Sequence, residues 1–356
     1  MDYLLLVINP GSTSTKIAIF NNDKLLQDQT LKHDVEIIQS FPNVISQKDF
    51  RKEVIINFLT DHHYKLSDID VFVGRGGMLK PIHNGGTFLV TQEMVDELTI
   101  AKYGQHASNL GAVIAFEFAK ELNRPAYIVN PVSVDELEDI SRVSGLSSIE
   151  KTSVFHALNH KAIAKRYAKS INRDYEDLNL IVVHLGGGIS VALHKNGRCV
   201  DLNNALGGTG PFSPERTGTL PSFPLVELCF SGKYTIDQVK KMLVGKGGLV
   251  SYIGTANGLE IKKRIENGDE KAKFYMQAMA YNVVKEIGGL YFANSGKIDA
   301  IILTGGLAYS TIFVDMIRAY INPIMSVEVF PGEDEMRALA EGTLRVLNKQ
   351  EKLQVY

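Results

Sequence analysis

The chain has 356 residues, which at roughly 150 residues per domain allows two domains, and its 45% hydrophobic and 22% charged residues exclude global disorder. A formal charge of −2, from 38 Lys and Arg against 40 Asp and Glu, leaves no electrostatic footprint for nucleic acid. Cys199 and Cys229 are too few for a disulfide framework or a cysteine metal cage, and no stretch reaches the ~18 apolar residues of a membrane helix, so a reducing, cytoplasmic protein without a membrane partner is expected.

Short β-branched runs alternate with longer segments of helical period, the pattern of an α/β protein. The first half is predicted to hold strands Tyr3–Ile8 and Lys16–Phe20, helix Phe50–His62, strand Val71–Gly74, helix Asn109–Leu122 and strand Ala126–Val129. Helix Ala157–Ala168 then leads to strands Leu180–Leu185 and Ser190–His194 and to helices Ile236–Val244 and Lys271–Ala293. Strand Ala300–Thr304, helix Thr311–Ile321, strand Ser326–Phe330 and helix Glu335–Leu347 complete the chain. The helix at Phe50 carries an ordinary core stripe of Phe50, Val54, Ile55, Phe58 and Leu59, and Thr235-Ile-Asp-Gln238 has the form of a capping box.

Leu4–Phe20 and Leu180–His194 share one grammar of strand, Gly/hydroxyl turn and strand, some 175 positions apart. The economical interpretation is two related halves. Both turns suit phosphate, because small residues expose successive backbone N–H groups and glycine permits a positive φ. Neither matches G-x-x-x-x-G-K-[ST] and each runs into a strand, which argues against a P-loop and a dinucleotide fold. For either hairpin alone a plain β-turn and an anion cradle both stay open. A third glycine turn, Leu303-Thr-Gly-Gly-Leu-Ala-Tyr-Ser310, lies between a strand and a helix.

This layout resembles the acetate/butyrate kinase family of the actin-like ATPase superfamily, with its butyrate kinase branch the nearer. The resemblance covers essentially the whole chain. It is carried by Val7-Ile-Asn-Pro-Gly-Ser-Thr-Ser-Thr-Lys16, Gly74-Arg-Gly-Gly77, Val154-Phe-His-Ala-Leu-Asn-His160, His184-Leu-Gly-Gly-Gly-Ile-Ser190, Asn203-Asn-Ala-Leu-Gly-Gly-Thr-Gly-Pro-Phe-Ser-Pro-Glu-Arg-Thr-Gly218 and Phe330-Pro-Gly-Glu-Asp-Glu335. It implies an α/β, ribonuclease H-like fold of two domains, each a mixed five-stranded sheet with helices. The N-terminal acyl/phosphate domain would span residues 1–150 plus a returning C-terminal helix over 331–356. The nucleotide-binding domain would span 151–330, with ATP in the cleft between them.

The implied reaction is reversible transfer of the ATP γ-phosphoryl group to a short-chain carboxylate, giving acyl phosphate and ADP. A carboxylic acid with a pKa of about 4.3 is already a nucleophile at neutral pH, so charge neutralisation, not a general base, is the need. Arginine forks meet it, and by resemblance Arg75 and Arg216 are the two active-site arginines. The resemblance likewise has His156 and His184 flank the phosphoryl group in flight. It implies cofactor-binding roles for Asn9, Ser12, Lys16, Gly186, Gly187, Gly188, Gly305 and Gly306, and Mg2+ near Asn9, Glu335 and Asn130. Asn130 stands where the family has an aspartate, and Asn257 and Leu259 stand where it has an Asp and an Arg near the nucleotide. A catalytically weakened, nucleotide-binding regulatory relative is the alternative those replacements raise, and an actin- or chaperone-like ATPase is a second.

His160 reads as an ordinary helix residue, and His33, His62, His63, His83 and His194 as solvated; His106 falls near another family histidine. Gly76-Gly77 replaces the Val-Val of acetate-specific relatives, which is expected to deepen the acyl pocket for butyrate or a branched four- or five-carbon acid. The family self-associates, so a homo-oligomer, dimer or higher, is expected.

Overall fold

Leu5, Leu6, Val7 and Ile8 are all fully buried, so the opening apolar run forms a central strand covered on both faces. In the computed structural model, which describes residues 2–356, this strand is β1 (Leu4–Pro10), paired antiparallel with β2 (Ser14–Asn21), itself paired with β3 (Lys24–Lys32). On its other side β1 runs parallel to β4 (Val71–Gly74), which pairs with β6 (Ala126–Val129), and β5 (Thr87–Leu89) closes the edge antiparallel to β6. The order is β3-β2-β1-β4-β6-β5. Six strands replace the five expected, because β5 is only three residues long and β3, Lys-Leu-Leu-Gln-Asp-Gln-Thr-Leu-Lys, is an exposed polar edge without apolar alternation.

The second sheet follows a short exposed hairpin of β7 (Val143–Leu146) and β8 (Ile149–Glu150). It contains β9 (Leu180–Leu185), β10 (Ile189–Lys195), β11 (Arg198–Leu202), β12 (Ala300–Gly305) and β13 (Val327–Pro331), in the order β11-β10-β9-β12-β13. Two antiparallel neighbours followed by two parallel ones repeat the β3-β2-β1-β4-β6 arrangement. The echo heard in the sequence is therefore a repeat of topology.

Each sheet belongs to its own compact unit, one made of the chain up to Asp135 with Asp334–Tyr356, the other of Glu136–Glu333. The division expected at residue 150 moves to 135/136. Glu136 is the reason: its carboxylate takes the buried Lys161 ammonium at 2.8 Å and the Cys199 N–H at 2.8 Å, which fastens it to the second unit. No Gly/Pro linker marks the spot.

Helix Asn109–Leu122 lies backbone to backbone against the end of β4. A side chain on Gly111 would come 2.7 Å from the Arg75 nitrogen, so glycine here lets the helix press on the residue that follows β4. The helix ends at Asn123, whose φ of +53° is the left-handed stop that Asn tolerates. Helix Glu335–Leu347 packs on the same sheet, with Gly342 against Val129 and its carbonyl accepting from Thr87 Oγ1 at 2.9 Å. The expected capping box at Thr235 and Gln238 is present. Among the described residues no helix is long and apolar enough to cross a membrane.

Candidate active site

In the first unit the turn between β1 and β2 is shaped from inside by Arg51, a fully buried residue of helix Lys48–Asp61. Its guanidinium donates to the carbonyls of Gly11 (2.9 Å), Ser12 (3.4 Å) and Ser14 (2.8 Å) and to Thr15 Oγ1 (3.0 Å), and Gln47 Oε1 orients it. The Thr13 carbonyl accepts from the His33 N–H at 2.9 Å. With every carbonyl of the turn engaged, its remaining N–H groups are left for an outside acceptor, the condition for an anion cradle. Ser12 is exposed at the tip, and Lys16 is exposed on β2 opposite Asn9. Burial lowers the Arg51 pKa to about 10, which still leaves it cationic at neutral pH.

Asn9, Arg75 and Glu335 meet in the same unit. Asn9 Nδ2 donates to Glu335 Oε2 at 2.6 Å, and Arg75 Nη1 lies 3.2 Å from Glu335 Oε1. That Nη1 is buried and has no aligned hydrogen-bond acceptor, so the arginine keeps donor capacity. Asn130 follows β6 with a φ of +39° and is 3% exposed, and its Oδ1 has no hydrogen-bond partner. A buried amide oxygen without a donor is costly in an apolar setting, and it fits a site completed by a cation or its water.

In the second unit the β9–β10 turn is Gly186-Gly187-Gly188. The Arg216 guanidinium lies directly over Gly188, where any side chain would collide with it, and Nη1 donates to the Ala205 carbonyl at 2.6 Å. Ser213 joins the two loops, donating to the Gly187 carbonyl at 2.5 Å and accepting from the Arg216 N–H at 3.1 Å. Burial lowers the Arg216 pKa, and Glu215 opposes that shift. His184, on β9, is 2% exposed; its Nδ1 meets Asn159 Oδ1 at 2.8 Å and its Nε2 lies 3.5 Å from Glu333 Oε1. His156 stacks on His184 with ring centroids 3.7 Å apart. Gly305 ends β12 with a φ of +88°, and a side chain there would strike the Leu185 backbone, so the third glycine turn lies against the end of β9; Gly306 is exposed beside it.

Several expectations are corrected by these contacts. His160 and His194 are fully buried and bonded to each other at 3.3 Å, and His33 is buried with Nε2 at 2.8 Å from Thr15 Oγ1. None of the three is a solvated or ordinary helix residue. Arg51 and Asn159 were not singled out from sequence, since each stands on a helix face that otherwise reads as core. Asn257 caps helix Gly258–Glu266, accepting from the N–H groups of Leu259 and Glu260, while the Leu259 side chain is 74% exposed. The expected space at Gly77 is already filled: a side chain there would come 2.5 Å from Asn109 Cα and 2.8 Å from Leu98 Cδ2. Gly77 serves close packing of the helix and opens no acyl pocket on that face.

An acetokinase-family model matches residues 148–338, which include His156, His184, Arg216 and Glu335. Over its full 356 residues the sequence is 52% identical to butyrate kinase 2 of Clostridium acetobutylicum, covering 100% of both chains. The chain belongs to the acetokinase family. Its fold agrees with solved members: Porphyromonas gingivalis acetate kinase superposes with a TM-score of 0.78 at 19% identity, covering 97% of this chain and 100% of the other. A propionate kinase from Francisella tularensis gives 0.75 at 17% identity, covering 96% and 98%. The actin-like ATPase fold expected for an acetokinase is thus the fold observed. Among the described residues no group of three or more His, Cys, Asp or Glu is placed to hold a metal ion.

Proposed function

We propose that the chain transfers the γ-phosphoryl group of ATP reversibly to a short-chain carboxylate, with a four-carbon acid such as butyrate as its best acceptor. The observation that carries this reading is Arg216 laid over Gly188, a cationic fork against a turn free of side chains, in a chain half-identical to a butyrate kinase along its whole length. A turn of that kind admits a phosphoryl group and a guanidinium together.

In the forward reaction a carboxylate oxygen attacks the γ-phosphorus, the new C–O–P bond forms, and the bond to the β,γ-bridging oxygen breaks with its electron pair leaving on ADP. No proton changes hands. Arg75, with its donor capacity, grips the acceptor carboxylate, and Glu335 and Asn9 keep the guanidinium in place. Arg216, His156 and His184 face the charge that builds on the equatorial oxygens, and His184 is oriented through Nδ1 by Asn159. The N–H groups of the Gly11–Ser14 and Gly186–Gly188 turns, other than those of Gly11 and Gly186, which close the turns themselves, take phosphate oxygens.

Magnesium fits the oxygen donors of Asn9, Asn130 and Glu335, because one carboxylate and two amides suit an ion that retains most of its waters. When bound it supplies charge neutralisation between the β- and γ-phosphates. Trapping with hydroxylamine tests the reading: butyrate with ATP should give hydroxamate faster per unit concentration than acetate. ATP hydrolysis without hydroxamate from any of acetate, propionate, butyrate or isovalerate would reject it.

A further inference from the structure

Behind His156 a line of polar groups runs into the core of the second unit. His156 Nδ1 lies 2.9 Å from Ser190 Oγ, Ser190 Oγ lies 2.8 Å from His160 Nε2, His160 Nδ1 lies 3.3 Å from His194 Nε2, and His194 Nδ1 lies 2.8 Å from the Tyr175 hydroxyl. Ser190, His160 and His194 are completely buried and Tyr175 is 3% exposed. Every contact uses a ring nitrogen or hydroxyl that can either donate or accept, so the protons must be ordered along the line as a set.

Two orderings satisfy all four contacts with every proton of the line in use, and they are opposite in direction; a Ser190 that accepted from both rings would leave its own hydroxyl proton outside the line. The far end chooses between them. Tyr175 has the Cys199 thiol as its other neighbour, and Cys199 Sγ lies 3.5 Å from His194 Nε2. If the line ran inward from His156, the buried phenol proton would be left with only a sulfur to accept it, and sulfur is a weak acceptor. If it runs outward, the phenol donates to an imidazole nitrogen, and the group left over is the thiol, a weak donor whose loss costs little.

We propose that Tyr175, His194, His160 and Ser190 form a one-directional buried relay that fixes His156 as the tautomer with its proton on Nε2, which makes them positioning residues for the group His156 serves. Tyr175 donates to His194 Nδ1, His194 Nε2–H donates to His160 Nδ1, His160 Nε2–H donates to Ser190 Oγ, and the Ser190 hydroxyl donates to His156 Nδ1. Burial holds both interior imidazoles below their ordinary pKa, so each carries a single proton and the order passes unbroken along the line. His156 then presents an N–H at Nε2 without having to be charged. The catalytic half of this inference rests on the proposal that His156 faces the transferring phosphoryl group; the tautomer itself does not.

The test is 15N NMR of the histidine-labelled full chain, with His156 assigned by its disappearance in His156→Gln, alongside kinetics with ATP and butyrate. In the wild type His156 should have a protonated Nε2 and an unprotonated, hydrogen-bonded Nδ1. Tyr175→Phe keeps the ring and removes the terminal donor, so the line can reverse. His156 should then gain the Nδ1–H form, and kcat should fall about tenfold, the scale of one hydrogen bond, with KM nearly unchanged. Ser190→Ala, which cuts the line beside His156, gives the same readout should Tyr175→Phe fail to fold. A wild-type His156 protonated on Nδ1, or a tautomer that neither variant moves, overturns the relay. A tautomer that moves while kcat does not supports the relay and overturns the role of His156 in phosphoryl transfer.

Discussion

Replacing Arg51 with methionine removes a charged donor while keeping a long apolar stem in the core. The carbonyls of Gly11 and Ser12 lose their donor, the Ser14 carbonyl keeps the Gly11 N–H and Thr15 Oγ1 keeps His33, and Gln47 Oε1 is stranded as well. Each buried acceptor left without a donor costs on the order of 1–3 kcal/mol, and turn atoms near the surface recover part of it from water. Removing the arginine also relieves its own desolvation, which is what pulls its pKa to about 10. The net loss should be about 3–5 kcal/mol, a large share of the stability of a unit this size. The chain has no tryptophan, so urea unfolding followed by circular dichroism is the assay. The transition of the first unit should move down by about 2 M urea. KM for ATP should rise about tenfold, because the turn N–H groups lose their fixed direction. Arg51→Lys should recover little of either, since one ammonium cannot span acceptors on both sides of the turn. An Arg51→Met protein with an unshifted midpoint and unchanged KM would refute the argument that this buried fork shapes the turn.

Arg216→Ala should lower kcat by roughly 10²–10⁴ while far-UV circular dichroism stays native, since the charge it supplies acts on the transition state; retention of most activity would remove it from that role. Asn130→Asp should lower the magnesium concentration needed for half-maximal turnover, because a carboxylate replaces an unpartnered amide oxygen at a positive φ that Asp also tolerates; a measured rise in that concentration would contradict this. Gly77→Val should destabilise the first unit by more than about 3 kcal/mol, not shift chain-length preference, given Asn109 Cα 2.5 Å from the new Cβ; a folded variant selective for acetate would overturn this. His194 is held down to about 3 and His160 well below 6.5, so the unfolded chain binds protons there that the native chain does not. The stability of the second unit should therefore be full above pH 6.5 and fall as the pH drops towards 3, at about 1.4 kcal/mol per pH unit for His194 with a contribution of the same sign from His160, and with a shallower fall in His194→Gln.

The parts of the fold legible in the sequence were those whose burial is continuous. β1, β4, β6, β9 and β12 are apolar runs covered on both faces, and all five were read near their true bounds. β3 was missed because an edge strand with polar residues on both faces carries no period, and helix Ser222–Phe230 because its apolar residues bury none of their number. At the site the glycine turns and the two arginines were legible as motifs. The support behind them was not, because Arg51 reaches the first turn from a helix well beyond it in sequence, and Asn159 and His160 meet His184 and His194 only where helix Ala157–Ser170 packs against the second sheet. A histidine on a strand end looks solvated until the ring it stacks on is known. Gly77 shows the converse: a small residue reads as space, and only the packing of Asn109 and Leu98 tells that the space is taken.

Direct observation of the product decides the central claim. Followed by 31P NMR, the purified chain with ATP, magnesium and butyrate should produce an acyl phosphate resonance in step with ADP, and the same resonance should be consumed to regenerate ATP when ADP is supplied with butyryl phosphate. Formation of ADP with inorganic phosphate alone, in the presence of butyrate and with no acyl phosphate at any time, would contradict the assignment of a carboxylate as the acceptor.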